Sequence, residues 1–118
     1  MELSIKKKEG FQGQKLIVIP KQVINGKCVR NEMINSLYIT DIGYYPKARY
    51  HYMERARGAE QNILIYCHDG KGNVSIRNKE YNMQSDDFII IPSGTPHSYT
   101  ADEKDPWSIY WIHFKGTI

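Results

Sequence analysis

The amino-acid sequence predicts an all-β domain, a sandwich or barrel of short strands, and three observations support this. Turn-forming residues recur at short intervals, for example at Asp69-Gly70, Asn78-Lys79 and Pro92-Ser93-Gly94. The segments between these turns are short and rich in β-branched and aromatic residues. No long amphipathic helical pattern separates them, which argues against a sheet built from βαβ units. With 118 residues, 41% of them apolar, the chain is long enough for one hydrophobic core.

Each predicted strand is a run of β-favouring residues bounded by turn residues. In chain order these runs are residues 15–19, 37–42, 50–53, 63–67, 74–76, 81–83, 88–91, 98–101 and 108–114. A short helical turn fits only between residues 20 and 35, where Gly26 and mixed polarity weaken the pattern. We therefore expect an N-terminal arm and connecting segment over residues 1–36 and a barrel over residues 37–118.

Composition excludes several classes of protein. The 16 Lys and Arg residues against 13 Asp and Glu give a net charge of +3, and the basic residues are scattered except at positions 6–8. This distribution does not form the basic stripe of a nucleic-acid surface. Cys28 and Cys67 lack the spacing of a metal or redox pair. No segment approaches the ~20 apolar residues of a membrane span, and no signal-peptide core is present. We expect a cytoplasmic protein with free thiols.

The last predicted strand is apolar on both faces. Alternation places two sets of side chains on opposite sides, with Trp107, Ile109, Trp111 and His113 on one and Tyr110, Ile112 and Phe114 on the other. Only one set can face a barrel interior, so the second needs cover from outside the sheet. We therefore expect the chain to be a fragment whose second face is exposed or covered by a missing segment or a second copy.

The densest motif spans residues 86–99. It predicts a turn, a buried strand and a tight turn shaped by proline and glycine, which brings His97 and Tyr99 onto one face of the next strand. The pattern resembles the second signature of the cupin superfamily, with Asp86 where cupins usually have glycine. The resemblance implies a cupin-like double-stranded β-helix, or jelly-roll barrel, preceded by an N-terminal arm.

Cupin enzymes hold a metal through that histidine together with an earlier His-x-His element and a glutamate. Here His51 and Arg55 take the place of the earlier element, and Glu54 lies on the opposite strand face. A cationic arginine beside two histidines would repel a metal, so we expect no metal and no other cofactor. His68 and His113 fit exposed or hydrogen-bonding roles better than metal ligation. A nucleophile elbow and a phosphate-binding loop are both missing, so we expect no enzyme activity.

A further pattern extends over nearly the whole chain. Its segments, in order, are residues 10–20, 37–43, 55–58, 63–72, 87–99 and 106–114. Together they resemble the N-terminal regulatory domain of AraC-family transcription regulators. In that family the barrel binds a small effector, often a sugar, a following helical segment dimerises, and C-terminal helix-turn-helix units bind DNA. The resemblance implies a sensor that forms a homodimer and contacts DNA only through a C-terminal domain absent from this chain.

The same resemblance implies a sugar pocket. It places Arg55 as a donor to ring hydroxyls, Tyr99 as a hydroxyl partner and Trp111 as an aromatic platform. His97 and Ile109 align at pocket-facing positions. Ile109 departs from the polar residue of the arabinose-responsive member, so the ligand can differ. In the alternative interpretation, Trp111 and Ile109 only fill the barrel.

Strand alternation adds His51 to this set, because it shares a strand face with Arg55. Thr40 aligns more loosely with the family's pocket. The composition suits a small neutral polyol, and a carboxylated or phosphorylated sugar is also compatible with Arg55. Two other functions stay open from the sequence: a stand-alone cupin carbohydrate-binding module, and a small cupin enzyme such as a metal oxygenase or sugar isomerase.

Overall fold

The computed structural model describes residues 5–117 and consists of two antiparallel β-sheets that share one core. The strands are β1 (Lys15–Val18), β2 (Tyr38–Tyr45), β3 (Tyr52–Arg55), β4 (Asn62–Asp69), β5 (Gly72–Ile76), β6 (Lys79–Met83), β7 (Phe88–Ile91), β8 (His97–Ala101) and β9 (Ser108–Lys115). Each of the predicted strands is present, shifted by at most a few residues, so the expected all-β class is confirmed.

The larger sheet has the strand order β1-β2-β9-β4-β7, and the smaller sheet has the order β3-β8-β5-β6. From β2 onward the chain passes back and forth between the two sheets, and only the β5–β6 hairpin stays within one sheet. This alternation is the connectivity of a jelly-roll barrel.

The connecting segment between the arm and the barrel is helical in three short pieces. These are α1 (Lys21–Val23), a π-helical turn (Ile24–Cys28) and α2 (Glu32–Ser36). The side chain of Asn31 caps α2 by accepting a hydrogen bond from the backbone N–H of Ile34 at 3.0 Å. Ahead of these helices, β1 forms the edge of the larger sheet, and all of its residues are exposed.

The core between the sheets is dominated by apolar side chains. The larger ones that are almost completely buried are Ile63, Ile65, Cys67, Val74, Ile91, Trp107 and Ile109. Trp107 lies directly against the backbone of Gly72, where a Cβ atom would come within 2.0 Å of the indole ring. Glycine at this position therefore makes room for the largest side chain of the core.

The outer faces of the two sheets differ in chemistry. On the larger sheet, cross-strand pairing lines up one row of aliphatic side chains over all five strands: Ile17, Ile42, Ile112, Leu64 and Ile90. A second row is aromatic: Tyr44, Tyr110, Tyr66 and Phe88. The corresponding rows of the smaller sheet are almost entirely polar: Tyr52, Thr100, Asn73 and Asn82, then Glu54, Ser98, Ser75 and Glu80.

The expected second apolar face of the last strand is therefore present. Tyr110 is 43% exposed, whereas Ile112 and Phe114 are half-buried by their neighbours in the sheet. At the ends of the same face, Phe88 is 63% exposed and Ile17 is 61% exposed. A face of this extent is typical of surfaces that are covered in a larger assembly.

Candidate functional site

A cavity of about 390 Å³ is lined by both sheets and by the N-terminal arm. Its lining residues are Lys8, Glu9, Leu16, Val18, Asp41, Tyr45, His51, Met53, Arg55, Tyr99, Trp111 and His113. Four of the predicted ligand-binding residues are among them. A larger cleft of about 610 Å³ runs along β5, β6 and β8, but none of the predicted residues lines it. Another hollow, of about 380 Å³, includes only Arg55 and His97 of the predicted residues, so the interior cavity is the candidate site.

Arg55 is held by two neighbours on β8. Its Nη1 donates hydrogen bonds to Nε2 of His97 at 3.0 Å and to the hydroxyl of Tyr99 at 3.3 Å. The other ring nitrogen of His97, Nδ1, lies 2.8 Å from the carbonyl oxygen of Thr95 and therefore carries the proton. Burial lowers the pKa of His97 and raises the pKa of Tyr99, so both groups are neutral near pH 7.

His51 is held in place by a hydrogen bond from Trp107, a residue of the apolar core. Its Nδ1 accepts a hydrogen bond of 3.1 Å from Nε1 of Trp107, which leaves the ring proton on Nε2. The side chain is 2% exposed. Burial, followed by the positive charge of Arg55, lowers the pKa of His51 to about 4. The imidazole is therefore a neutral donor on the cavity wall.

Trp111 forms the flat aromatic wall of the cavity. Its indole lies against Gly43, where a Cβ atom would approach within 2.4 Å, so glycine on β2 is what admits the ring. Tyr45 packs edge-on against it, with ring centroids 5.6 Å apart, and burial raises the pKa of Tyr45 to about 12. The indole N–H of Trp111 is buried and meets no hydrogen-bond partner within residues 5–117. An unsatisfied buried donor is costly, and a ligand oxygen could satisfy it.

Asp41 and His113 form a polar pair that the sequence analysis did not place in the site. Nδ1 of His113 lies 3.0 Å from Oδ2 of Asp41, and Oγ1 of Thr40 donates to the other carboxylate oxygen at 2.7 Å. Burial lowers the pKa of His113 although Asp41 opposes the shift. His113 therefore donates from Nδ1 and presents Nε2 as an acceptor.

A β-bulge at Thr40 explains why Asp41 was missed. Ile39 pairs with Phe114 and Asp41 pairs with His113, so Thr40 is an extra residue that reverses the alternation along β2. Thr40 is 5% exposed and contacts the site through Asp41 rather than lining it. His113 was detectable, because it shares the strand face of Trp111.

The remaining predicted residues lie outside the cavity lining. Ile109 is 1% exposed and packs in the apolar core, so the structure places it away from the site. His97 is behind Arg55 and orients it. His68 is exposed, as expected.

The residues present do not fit the metal centre of cupin enzymes. The lone pair of His97 that would bind a metal accepts from Arg55, and Nδ1 of His51 accepts from Trp107. Within residues 5–117, no group of three or more His, Cys, Asp or Glu side chains is arranged to hold an ion. We derive no metal chemistry for this site.

The amino-acid sequence of this chain is similar to those of known proteins. Residues 42–118 match the family model of the AraC-like ligand binding domain. The chain is 37% identical over 94 residues to the MmsAB operon regulatory protein of Pseudomonas aeruginosa, an alignment that covers 76% of this chain and 30% of that protein. It is 35% identical over 57 residues to the raffinose operon transcriptional regulatory protein RafR of Pediococcus pentosaceus, covering 48% of this chain and 21% of that protein. The chain thus spans less than a third of the length of either regulator.

The fold is also similar to that of solved cupins. A cupin superfamily protein from Desulfitobacterium hafniense superposes with a TM-score of 0.55 at 8% sequence identity, covering 92% of this chain and 84% of that one. The cupin-like barrel expected from the sequence is confirmed. No helix among the described residues is long and apolar enough to cross a membrane.

Proposed function

Because this chain belongs to the AraC-like ligand binding domain family, we propose that it is the effector-sensing domain of a cytoplasmic transcription regulator and that its cavity binds a small sugar or sugar derivative. The observation that carries the proposal is the set of polar groups around the cavity, a guanidinium, two neutral imidazoles, a carboxylate and a buried indole N–H. No catalytic role is proposed for them.

One wall of the cavity suits apolar contact with a sugar ring, and the other walls suit hydrogen bonds to its hydroxyl groups. The ring of Trp111 offers a flat apolar surface to the C–H face of a sugar, with its free N–H at the edge. On the other walls, Arg55 and Nε2–H of His51 are donors, whereas Asp41 and Nε2 of His113 are acceptors. A molecule with several hydroxyl groups, each both donor and acceptor, matches this mixture.

The arm connects the site to the rest of the regulator. We propose that residues 1–36 act as an arm over the binding barrel of residues 37–118. Leu16 and Val18 of β1 line the cavity, and β1 is an edge strand that pairs with β2. An effector that contacts these side chains can change how firmly the edge strand is held.

We propose that DNA binding and dimer formation belong to a longer protein of which this chain is one domain. The regulators to which this chain is similar are more than three times its aligned length, which leaves room for a DNA-binding domain outside residues 1–118. We propose a homodimer in which the apolar outer face of the larger sheet is covered. The isolated chain should show no measurable affinity for duplex DNA at physiological salt, because its basic residues are scattered.

The test is a calorimetric titration of candidate saccharides, a readout that stays available when Trp111, which lines the cavity, is replaced. We expect Arg55→Ala and Trp111→Ala each to weaken binding by roughly fivefold to a hundredfold. Arg57→Ala is the matched control, because Arg57 is exposed and lies outside the cavity. A saccharide that binds equally well to all three variants would show that the cavity has been wrongly assigned.

A further inference from the structure

The positive charge of Arg55 has no ionised partner among residues 5–117. The salt bridge found there joins Lys115 to Glu60, and the Asp41 carboxylate accepts a hydrogen bond from neutral His113. The two acceptors that Arg55 does reach, His97 and Tyr99, are both neutral. A half-buried guanidinium normally pairs with a carboxylate, because removing its charge from water is otherwise unfavourable.

The other titratable groups around the cavity do not pair directly with Arg55. Burial keeps Tyr99 protonated by raising its pKa, and burial keeps His51 neutral by lowering its pKa to about 4. Asp41 is engaged at both oxygens, by Thr40 and by His113. At the arm, Lys8 and Glu9 are both exposed and offset each other.

Glu54, the carboxylate adjacent to Arg55 in the chain, lies on the opposite face of β3. It accepts a hydrogen bond from the hydroxyl of Tyr52 at 3.1 Å, on the outer side of the smaller sheet. Within residues 5–117, Arg55 is therefore a fixed cation in the cavity wall that no carboxylate contacts.

The geometry of Arg55 also leaves its carboxylate-binding edge free. Both hydrogens of Nη1 are used, one by His97 and one by Tyr99. The remaining N–H groups, on Nη2 and Nε, are the pair that matches the two oxygens of a carboxylate. His97 and Tyr99 thus fix the plane of the guanidinium without consuming this edge.

We infer that the effector is a small hydroxylated carboxylic acid, such as a sugar acid, whose carboxylate pairs with Nη2 and Nε of Arg55. This inference rests on the proposed function, since it names the chemical class that the effector cavity takes. The hydroxyl groups of the ligand face Asp41, His113 and the indole N–H of Trp111. A volume of about 390 Å³ is near the lower end of the roughly 300–1,000 Å³ typical of ligand pockets and suits a single monosaccharide unit.

The experiment compares acids with their neutral counterparts by calorimetric titration of the full chain. The probes are glucose with glucuronate, galactose with galacturonate, and glycerol with glycerate. The proteins are wild type, Arg55→Met, Arg55→Lys and the control Arg57→Met. Thermal melts of each variant confirm that it is folded before it is titrated.

We expect wild type and Arg57→Met to prefer at least one acid over its neutral partner by about tenfold to a hundredfold. Arg55→Met should abolish the preference. Arg55→Lys should retain part of it, because lysine keeps the positive charge but lacks the two parallel N–H donors of the guanidinium. Neutral sugars binding as tightly as their acids would overturn the inference and leave the proposed function standing. Glycerate binding without any sugar or sugar acid would support the carboxylate and remove the sugar from the proposed function. Binding by none of the six probes would overturn both.

Discussion

The interior of the barrel has an apolar part and a polar part, and β9 contributes side chains to both. Around Ile65 and Ile109 the side chains are aliphatic and completely buried. Around Arg55 on β3 and Trp111 on β9, the interior holds a guanidinium, neutral imidazoles and a cavity. In β9 the change occurs between Ile109 and Trp111, two positions apart on one face. Stability is therefore concentrated in one part of the core, and the other part is left free to bind.

Removing side chain from the apolar part should have the largest effect on stability. Ile109→Ala deletes buried methyl groups and opens a void, so we expect a loss of about 2–5 kcal/mol in the free energy of unfolding, measured with urea. Effector affinity of the folded fraction should change little, because Ile109 does not line the cavity. A large loss of affinity with little loss of stability would place Ile109 in the binding site after all.

Acid should destabilise the polar part of the interior. The pKa of His51 is about 4 in the folded state and 6.5 in the unfolded chain. Between these values the unfolded state binds more protons, so stability is greatest above pH 6.5 and falls as the pH drops towards 4, by about 3 kcal/mol from this residue. His97 and His113, whose pKa values are also lowered, act in the same direction.

The measurement is the urea midpoint from pH 7.5 to 4 for wild type, His51→Gln and His68→Gln. The His51 variant should show a shallower pH dependence, and the variant at exposed His68 should follow wild type. Equal slopes for all three proteins would contradict the neutral, buried state of His51.

Asp41→Asn tests whether the carboxylate is a structural or a binding group. It replaces an ionised acceptor of two hydrogen bonds, from Thr40 and His113, so we expect a loss of about 1–3 kcal/mol in stability. If Asp41 also accepts from the effector, affinity falls in addition. Calorimetric titration alongside unfolding separates the two contributions, and unchanged affinity would remove Asp41 from the binding set.

Thr40→Val should have the smallest effect. Valine preserves the branched shape in the bulge but removes the hydroxyl that donates to Asp41 at 2.7 Å, so we expect about 1 kcal/mol of destabilisation. Thermal unfolding measures this change, with Thr117→Val at an exposed position after β9 as the control. A larger loss than that of Asp41→Asn would mean that Thr40 acts independently of the carboxylate.

Strand positions and faces were predictable where alternation is regular. At β9 the inward set of Trp107, which immediately precedes the strand, Ile109 and Trp111 follows directly from a period of two, and the structure agrees. The sequence could not reveal where, along the interior face of β9, the apolar part ends and the polar part begins. That boundary depends on which residues of other strands lie opposite, and for this reason Ile109 was grouped with Trp111.

Two features of the site depended on information that is not local. The neutral state of His97 follows from its burial and from the nearby charge of Arg55, which only the fold brings about. The position of Asp41 follows from an irregularity whose sequence signal is weak. The contribution of Gly43 became visible only once the indole of Trp111 was seen against it.

The bulge at Thr40 also determines where this strand can change length. Deleting Thr40 would leave Ile39 opposite Phe114 and Asp41 opposite His113, so every pairing of β2 would be kept. Deleting Ile42 instead would slide the preceding residues by one place and turn Asp41 towards solvent. We therefore expect that relatives with one residue fewer in this strand lack the residue at the bulge, and that an alignment gap here leaves the binding face intact.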